Sequence, residues 1–189
     1  NQLHEETISG YNGHSNIAIY GGIWDCNAYN GHDGVNIIGN DGMAFTHSQN
    51  ITLCDLTIKD TANFHALELN AVQKVIIKNC EFKGWQNTQN NPNYTTKEAI
   101  QIDAALEGAG LPAYDGTLCD DILIDGCRFI ASARCGAPPR GIGSHTIYND
   151  NYKNIRIVNN KFHGMSSCGV APYYWNFCII SNNTFWGCD

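Results

Sequence analysis

Six nine-residue units recur along this chain, and a recurrence of that kind restricts the fold more than any other feature of the sequence. Asn16-IAIYGGIW, Asn50-ITLCDLTI, Lys74-VIIKNCEF, Asp121-ILIDGCRF, Asn154-IRIVNNKF and Phe177-CIISNNTF align without gaps. Their closing residues, Trp24, Ile58, Phe82, Phe129, Phe162 and Phe185, fall roughly two dozen residues apart, or that distance plus an insertion. A unit this short cannot enclose a core alone, so successive units must stack and bury one continuous core between them. Within each unit β-branched residues alternate with polar ones, the pattern of a strand buried on one side. Parallel stacking at about 4.8 Å per strand then predicts an all-β chain. The architecture expected is a right-handed parallel β-helix of about six coils, its handedness set by the twist of the strands.

The repeat region, about 16–185, belongs to a single β-helix domain in this reading of residues 1–189. The first residues carry no start signal or cap and the chain stops just after a repeat, so the expectation is a piece of a longer helix. Two places before each closing residue stand Gly22, Leu56, Cys80, Cys127, Asn160 and Asn183. Small, thiol and amide side chains there suit an inward corner, with Asn160 and Asn183 forming an amide ladder between coils. Cys80 and Cys127 are accordingly structural thiols. An odd count of nine cysteines spread along the chain argues against a disulfide scaffold.

Composition narrows the partners. Only 15% of residues are charged and 19 are glycine, which favours strands and turns. A net charge of -7 without a Lys/Arg cluster excludes a phosphate-tracking groove, so no nucleic acid partner is expected. No apolar run reaches the roughly 18 residues of a bilayer span, so no membrane partner is expected either. Neither C-x-x-C nor H-E-x-x-H occurs, and no metal or cofactor is expected.

A second strand family precedes the repeat. It reads Gly42-MAFTH, His65-ALELN, Glu98-AIQID, Arg140-GIGSH and Gly169-VAPYY. Alternation assigns Ala44, Leu67, Ile100, Ile142 and Ala171 inward, with Thr46, Leu69, Ile102, Ser144 and Tyr173. The outward set is then Phe45 and His47, Glu68 and Asn70, Gln101 and Asp103, Gly143 and His145, Pro172 and Tyr174. Such a run of His, Asn, Asp, Gln and Tyr in register differs from an ordinary solvated face. Insertions at 85–97, 106–119 and 134–139 flank it, as the walls of a binding face would.

Glycosidic hydrolysis needs one carboxylic acid and one carboxylate. Glu68 and Asp103, offset by one strand and two residues, stand roughly 8 Å apart at the backbone by ideal geometry, which suits an inverting pair. His145 lies one coil beyond Asp103, placed to tune it. Asn70, Gln101, His47, Arg140, Tyr174, Glu98 and Trp85 are the candidate substrate-binding residues, Glu98 in reserve because its parity is opposite to that of Asp103.

Asn16-IAIYGGIWD, Lys97-EAIQID, Arg140-GIGSHT and the closing Asn-Asn-Thr-Phe resemble the pectin-lyase-like β-helix proteins, among them the polygalacturonase-like glycoside hydrolases and related bacterial and phage β-helix proteins. The resemblance implies a carbohydrate-active groove on the outward face of the second strand family, acting on a polysaccharide. Asp103 replaces the first polygalacturonase motif, and the Arg-Ile-Lys motif is absent, so galacturonan itself is not implied. The expected function is a glycoside hydrolase with Asp103 and Glu68 as acid and base. A polysaccharide lyase acting by β-elimination on a uronate polymer is the second reading, and a non-catalytic glycan-binding or adhesive module the third. Each places the protein outside the cell: secreted, on the cell surface or on a phage particle. The oligomeric state is left open.

Overall fold

The computed structural model describes residues 8–28, 41–107, 113–144 and 151–189, and His145 lies outside them. Every strand pairing is parallel, apart from one isolated antiparallel bridge between Trp85 and Gly136, and non-consecutive strands neighbour one another. The chain therefore winds as a parallel β-helix with three sheets. Sheet 1 contains Ile17–Tyr20, Gln49–Cys54, Gln73–Lys78, Asp120–Asp125, Tyr152–Val158, Trp175–Asn176 and Ile179–Ser181. Sheet 2 contains Ile23–Asp25, Thr57–Ala62, Glu81–Gln86, Arg128–Ile130, Lys161–His163 and Thr184–Trp186. Sheet 3 contains Met43–Thr46, Leu67–Asn70, Glu98–Asp103, Arg140–Gly143 and Cys168–Ala171. Each coil passes from sheet 3 to sheet 1 to sheet 2.

The nine-residue unit is thus two strands bent around a corner rather than one. The backbone explains the bend. Gly21, Asp55, Asn79, Gly126, Asn159 and Asn182 occupy one column between sheets 1 and 2, and all have φ between 53° and 68°. Gly, Asn and Asp tolerate this left-handed region better than other residues, which is why they recur there. The first residue of every unit is left-handed too: Asn16, Asn50, Lys74, Asp121, Asn154 and Phe177 have φ between 51° and 60°. Four of these six are Asn or Asp.

Stacked columns fill the interior. Ile51, Leu53, Ile77, Ile122, Ile124, Ile155 and Ile157 from sheet 1 are wholly buried. On sheet 2, Phe82, Phe129, Phe162 and Phe185 stack with centroids 5.1, 4.6 and 4.8 Å apart and interplanar angles of 9°, 7° and 7°. The inward corner is a continuous polar ladder. Asn183 Oδ1 accepts from Asn160 N at 2.8 Å, and Asn160 Oδ1 accepts from Cys127 N at 2.8 Å. Cys127 Sγ in turn accepts from Cys80 N at 3.4 Å. Amides and thiols at the corner satisfy main-chain donors that the bend removes from the sheets. All nine cysteines are free, and Cys80 and Cys127 are buried.

Sheet 3 corrects the sequence alignment at both ends. Its pairs are Met43 with Leu67, Leu67 with Ile100, Ile100 with Ile142, and Ile142 with Val170. The three central coils keep the expected register, whereas the first and last are displaced by one residue. Ala44 and Thr46, not Phe45 and His47, stand beside Glu68 and Asn70. Ala171, not Pro172, stands beside Gly143. Phe45 packs inward against the core, in the column of Leu69 and Ile102.

The cause of the displacement is a column of small residues, Gly42, Ala66, Ala99, Gly141 and Gly169, which faces Ile58 and the rings of sheet 2. A Cβ on Gly42 would stand 2.7 Å from Ile58, on Gly141 2.6 Å from Phe162, and on Gly169 2.4 Å from Phe185. Close packing against the neighbouring strand's carbonyl and the sheet-2 side chains fixes these positions, and a one-residue shift reverses every neighbouring side chain.

Candidate functional site

The outward side of sheet 3 is built in two layers. At the head of its strands, Asp41, His65, Glu98, Arg140 and Cys168 follow one another from coil to coil. Ala99 and Ile100 are both buried in the core cluster, so alternation breaks there. Glu98 consequently runs over Gly143, where a Cβ would meet Glu98 Cγ at 3.2 Å. That is the side that simple parity denied it. Glu98 is fully buried; its Oε1 accepts from Arg140 NH1 at 3.1 Å. Arg140 is also 3.4 Å from Ser167 Oγ through Nε, and its guanidinium lies 5.6 Å from the Tyr173 ring centroid.

His65 Nδ1 lies 2.8 Å from Glu98 O and 3.7 Å from Glu98 Oε2. Burial holds its pKa down at about 4 despite the opposing Glu98 charge. The imidazole is therefore neutral at pH 7 and Arg140 is the group that matches the charge of Glu98.

The second layer begins three residues further along the strands. Glu68 neighbours Gln101, and Asn70 neighbours Asp103, so the offset expected of the two carboxylates is present. Asp103 is 1% exposed; Tyr152 donates to its Oδ1 at 3.1 Å, and Gln101 Nε2 makes a short bond to Oδ2. Tyr152 is held far above the ordinary phenol range by burial, then by the Asp103 charge. Glu68 accepts from Asn70 Nδ2 at 2.6 Å. Burial first, and then a hydrogen bond to the Asp41 carboxylate, push its pKa up to about 7. Asn70 Oδ1 is buried without a hydrogen-bond partner, an acceptor left open at the centre of the face.

Glu68, Asn70, Gln101 and Asp103 thus gather on adjacent coils, with Glu98 and Arg140 beside them. Three other candidates lie elsewhere. His47, wholly buried, is left-handed at the turn into sheet 1, and its ring nitrogens face Gly10 O at 2.9 Å and Ala113 O at 3.0 Å. It clasps the segment before the first strand to the loop after Asp103, where Asp115 Oδ2 also accepts from Gly10 N at 2.7 Å. Trp85 is buried and donates from Nε1 to Phe64 O at 3.0 Å, packing its loop down instead of offering a stacking face. Tyr174 lies past the end of its strand in a left-handed turn and is half-exposed.

Asp41, His65 and Tyr152 are the members of the network that sequence reasoning missed. Asp41 directly precedes the small column, as do His65, Glu98 and Arg140, and that shared position is the signal that identifies it. Tyr152 belongs to sheet 1, and nothing in the sequence spacing brings it to Asp103. Among the described residues, no group of three or more His, Cys, Asp or Glu side chains is arranged to hold a metal ion.

No protein-family model matches the chain. It is 29% identical over 182 residues to the plasmin and fibronectin-binding protein A of Streptococcus pneumoniae, an alignment covering 89% of this chain and 25% of that protein. The chain therefore spans about a quarter of that relative's length. Two solved structures of PfbA, a surface adhesin of S. pneumoniae, superpose with TM-scores of 0.82 and 0.83 at 28% identity, covering 90% of this chain and 41% and 44% of theirs. The A-module of a mannuronan C-5 epimerase from Azotobacter vinelandii superposes at 0.60 with 16% identity, covering 91% of this chain and 38% of that one, a likeness of fold alone. The pectin-lyase resemblance thus holds at the level of the parallel β-helix. The relatives that share sequence as well are named as adhesins, which overturns the expectation of a glycoside hydrolase, and the geometry explains the correction: Asp103 is buried with both oxygens bonded within the fold.

Proposed function

We propose that this chain is a non-catalytic adhesive module of a cell-surface protein, a stretch of β-helix that engages extracellular proteins of a host. The observation that carries this reading is the match to the pneumococcal plasmin and fibronectin-binding protein, which runs along nearly the whole chain in both sequence and fold. The condition of the polar face supports it. Its carboxylates are engaged by Arg140, Gln101, Tyr152 and Asn70, so the face is held rigid, as a recognition surface requires if little entropy is to be lost on binding. The exposed groups at its margin, Tyr173 and Tyr174, with the half-buried Glu68 beside them, are those available to a partner.

The test is surface plasmon resonance with the purified chain immobilised and fibronectin or plasmin in solution, beside a reducing-end assay on a panel of polysaccharides. Saturable protein binding with no release of reducing ends or unsaturated products is expected. Sustained polysaccharide cleavage, or failure to bind either protein, overturns the reading.

A further inference from the structure

The cations of this chain are unevenly placed. Lys and Arg number 11 against 18 Asp and Glu, and the net charge is -7. Sheet 2 nevertheless turns four of these cations outward: Lys59, Lys83, Arg128 and Lys161 come from four successive coils, each next in the chain to the inward Ile58, Phe82, Phe129 or Phe162. Arg134, on the loop that follows Arg128–Ile130, is exposed beside them. The same face presents two outward acids, Asp25 and Glu81.

Each acid is shared between two cations. Asp25 Oδ2 lies 2.7 Å from Lys59 Nζ and 3.5 Å from Arg134 NH1, while Glu81 touches Lys83 and stands 3.1 Å from Arg128 NH1. Asp60, 1% exposed, lies beneath them, with Lys59 Nζ and Arg134 NH1 each 3.8 Å from its Oδ2. Five cations therefore answer to three carboxylates, and the face is positive in a chain that is negative as a whole. Register sharpens the excess. Lys59 stands directly beside Lys83, and Arg128 directly beside Lys161. Like charges set opposite one another on neighbouring strands repel. Lys161 is exposed and, among the described residues, pairs with no acid.

Apolar groups accompany the charges. Lys59, Lys83 and Arg134 border a cleft of about 280 Å³ whose lining includes Ile23 and Ile130. Farther along the face Trp186 is 42% exposed and stacks on His163, with centroids 4.8 Å apart and an interplanar angle of 13°. Arg and Trp are among the residues that dominate protein–protein interfaces. Four coils at about 4.8 Å each spread the cations over roughly 14 Å, the length of an extended segment of about four or five residues. Carboxylates on such a segment can bridge the like-charged pairs, as Asp25 and Glu81 already bridge others, and its apolar side chains meet the cleft and Trp186. Tracking a phosphate backbone calls for an unbroken row of cations, and here Asp25 and Glu81 interrupt the row.

We propose that the outward face of sheet 2 is a docking surface for an acidic polypeptide segment of a partner protein, with Lys83, Arg128 and Lys161 receiving its carboxylates and the cleft beside Ile130 receiving an apolar side chain. The surface belongs to a different sheet from the polar network of sheet 3 and does not depend on the adhesive reading.

Fluorescence anisotropy at low ionic strength, with the purified chain and a fluorescein-labelled peptide of glutamates and leucines, tests the assignment. Saturable binding is expected, with affinity falling as salt is added and the glutamine counterpart of the peptide binding about tenfold more weakly or worse. Arg128→Gln combined with Lys161→Glu alters two exposed side chains, so this variant should fold as wild type by circular dichroism while binding the peptide about tenfold more weakly. Lys74→Glu combined with Lys78→Gln makes the same change of net charge on exposed positions of sheet 1 and should leave binding within about twofold. The peptide is neither fibronectin nor plasmin, so its result stands whether or not those proteins bind. Absence of binding, equal binding of the glutamine peptide, or undiminished binding by the folded sheet-2 variant overturns the proposal. So does an equal loss in the sheet-1 variant, or binding of a single-stranded oligonucleotide or of phosphatidylglycerol vesicles as tight as that of the peptide.

Discussion

The left-handed residue that opens every repeat gives a stability prediction with an internal control. Asn16, Asn50, Asp121 and Asn154 fill that position with residues suited to positive φ, but Lys74, at φ of 55°, does not. Left-handed backbone costs an ordinary L-residue about 1–2 kcal/mol, and Asn visits it routinely because its short amide bonds locally. Lys74 is exposed, so its replacement removes no buried contact. One coil earlier in the same column, Asn50 Nδ2 already donates to Asn16 Oδ1 at 3.0 Å, and an amide at position 74 is placed to extend that ladder. Lys74→Asn is therefore expected to stabilise the fold by about 1 kcal/mol, raising Tm by about 2–4 °C for a chain of this size. Lys74→Ala removes the same long side chain but keeps the strained backbone and adds no amide, so it should not stabilise. Thermal melts of the three proteins decide the matter. If Lys74→Ala gains as much as Lys74→Asn, or Lys74→Asn gains nothing, left-handed strain is not what limits this position.

Two further perturbations probe the core and the polar face. Phe129 is wholly buried between two parallel rings at 5.1 and 4.6 Å, and Phe129→Ala should cost about 3–5 kcal/mol, measured as a lower urea midpoint at unchanged m-value; a loss under about 1 kcal/mol would mean the stack repacks freely. Glu68 and His65 should pull the pH profile in opposite senses. The Glu68 pKa is raised from 4.5 to about 7, so its contribution to stability falls as pH rises through that interval, whereas the His65 pKa is lowered from 6.5 to about 4, so its contribution is lost as pH falls through that one. In Glu68→Gln only the histidine slope remains, and Tm should rise with pH between about 4 and about 6.5 more steeply than in wild type; superimposable profiles would refute the assignment.

The solenoid was legible because its cause is local and repeated. Alternating apolar residues, rich in Ile, and a closing aromatic or aliphatic residue recur in each coil, and every copy points to the same strand. The division of the unit into two strands was hidden because the left-handed residue leaves only one three-residue step in the apolar alternation, as Asp55 does between Leu53 and Leu56. Register in sheet 3 was legible for the three coils carrying Glu68, Gln101 and Gly143. It failed where polarity was the guide. His47 reads as a surface residue, but the Gly10 and Ala113 carbonyls that enclose it belong to segments remote in sequence. The steric column of Gly42, Ala66, Ala99, Gly141 and Gly169 was the better guide, since Ile58 and the sheet-2 rings stand too close to admit a Cβ at its glycines.

The polar face illustrates why residue types alone do not separate a catalytic groove from a binding surface. Paired carboxylates, amides, an imidazole and a guanidinium on neighbouring strands are the materials of acid–base chemistry, and they are equally the materials of a ladder that joins coil to coil. What separates the two is where the hydrogen bonds go. Asp41 accepts from the His65 backbone, His65 reaches Glu98, and Glu98 accepts from Arg140, so consecutive coils are linked in order across sheet 3. Asp103 is tied to Gln101 on its own strand and to Tyr152 of sheet 1. Burial of one face fixes which residues point inward, and this sequence of acid, imidazole, acid and guanidinium adds a polar order from coil to coil. Carboxylates used in this way join coil to coil, and the same bonds give the face the fixed shape that the proposed adhesive reading requires.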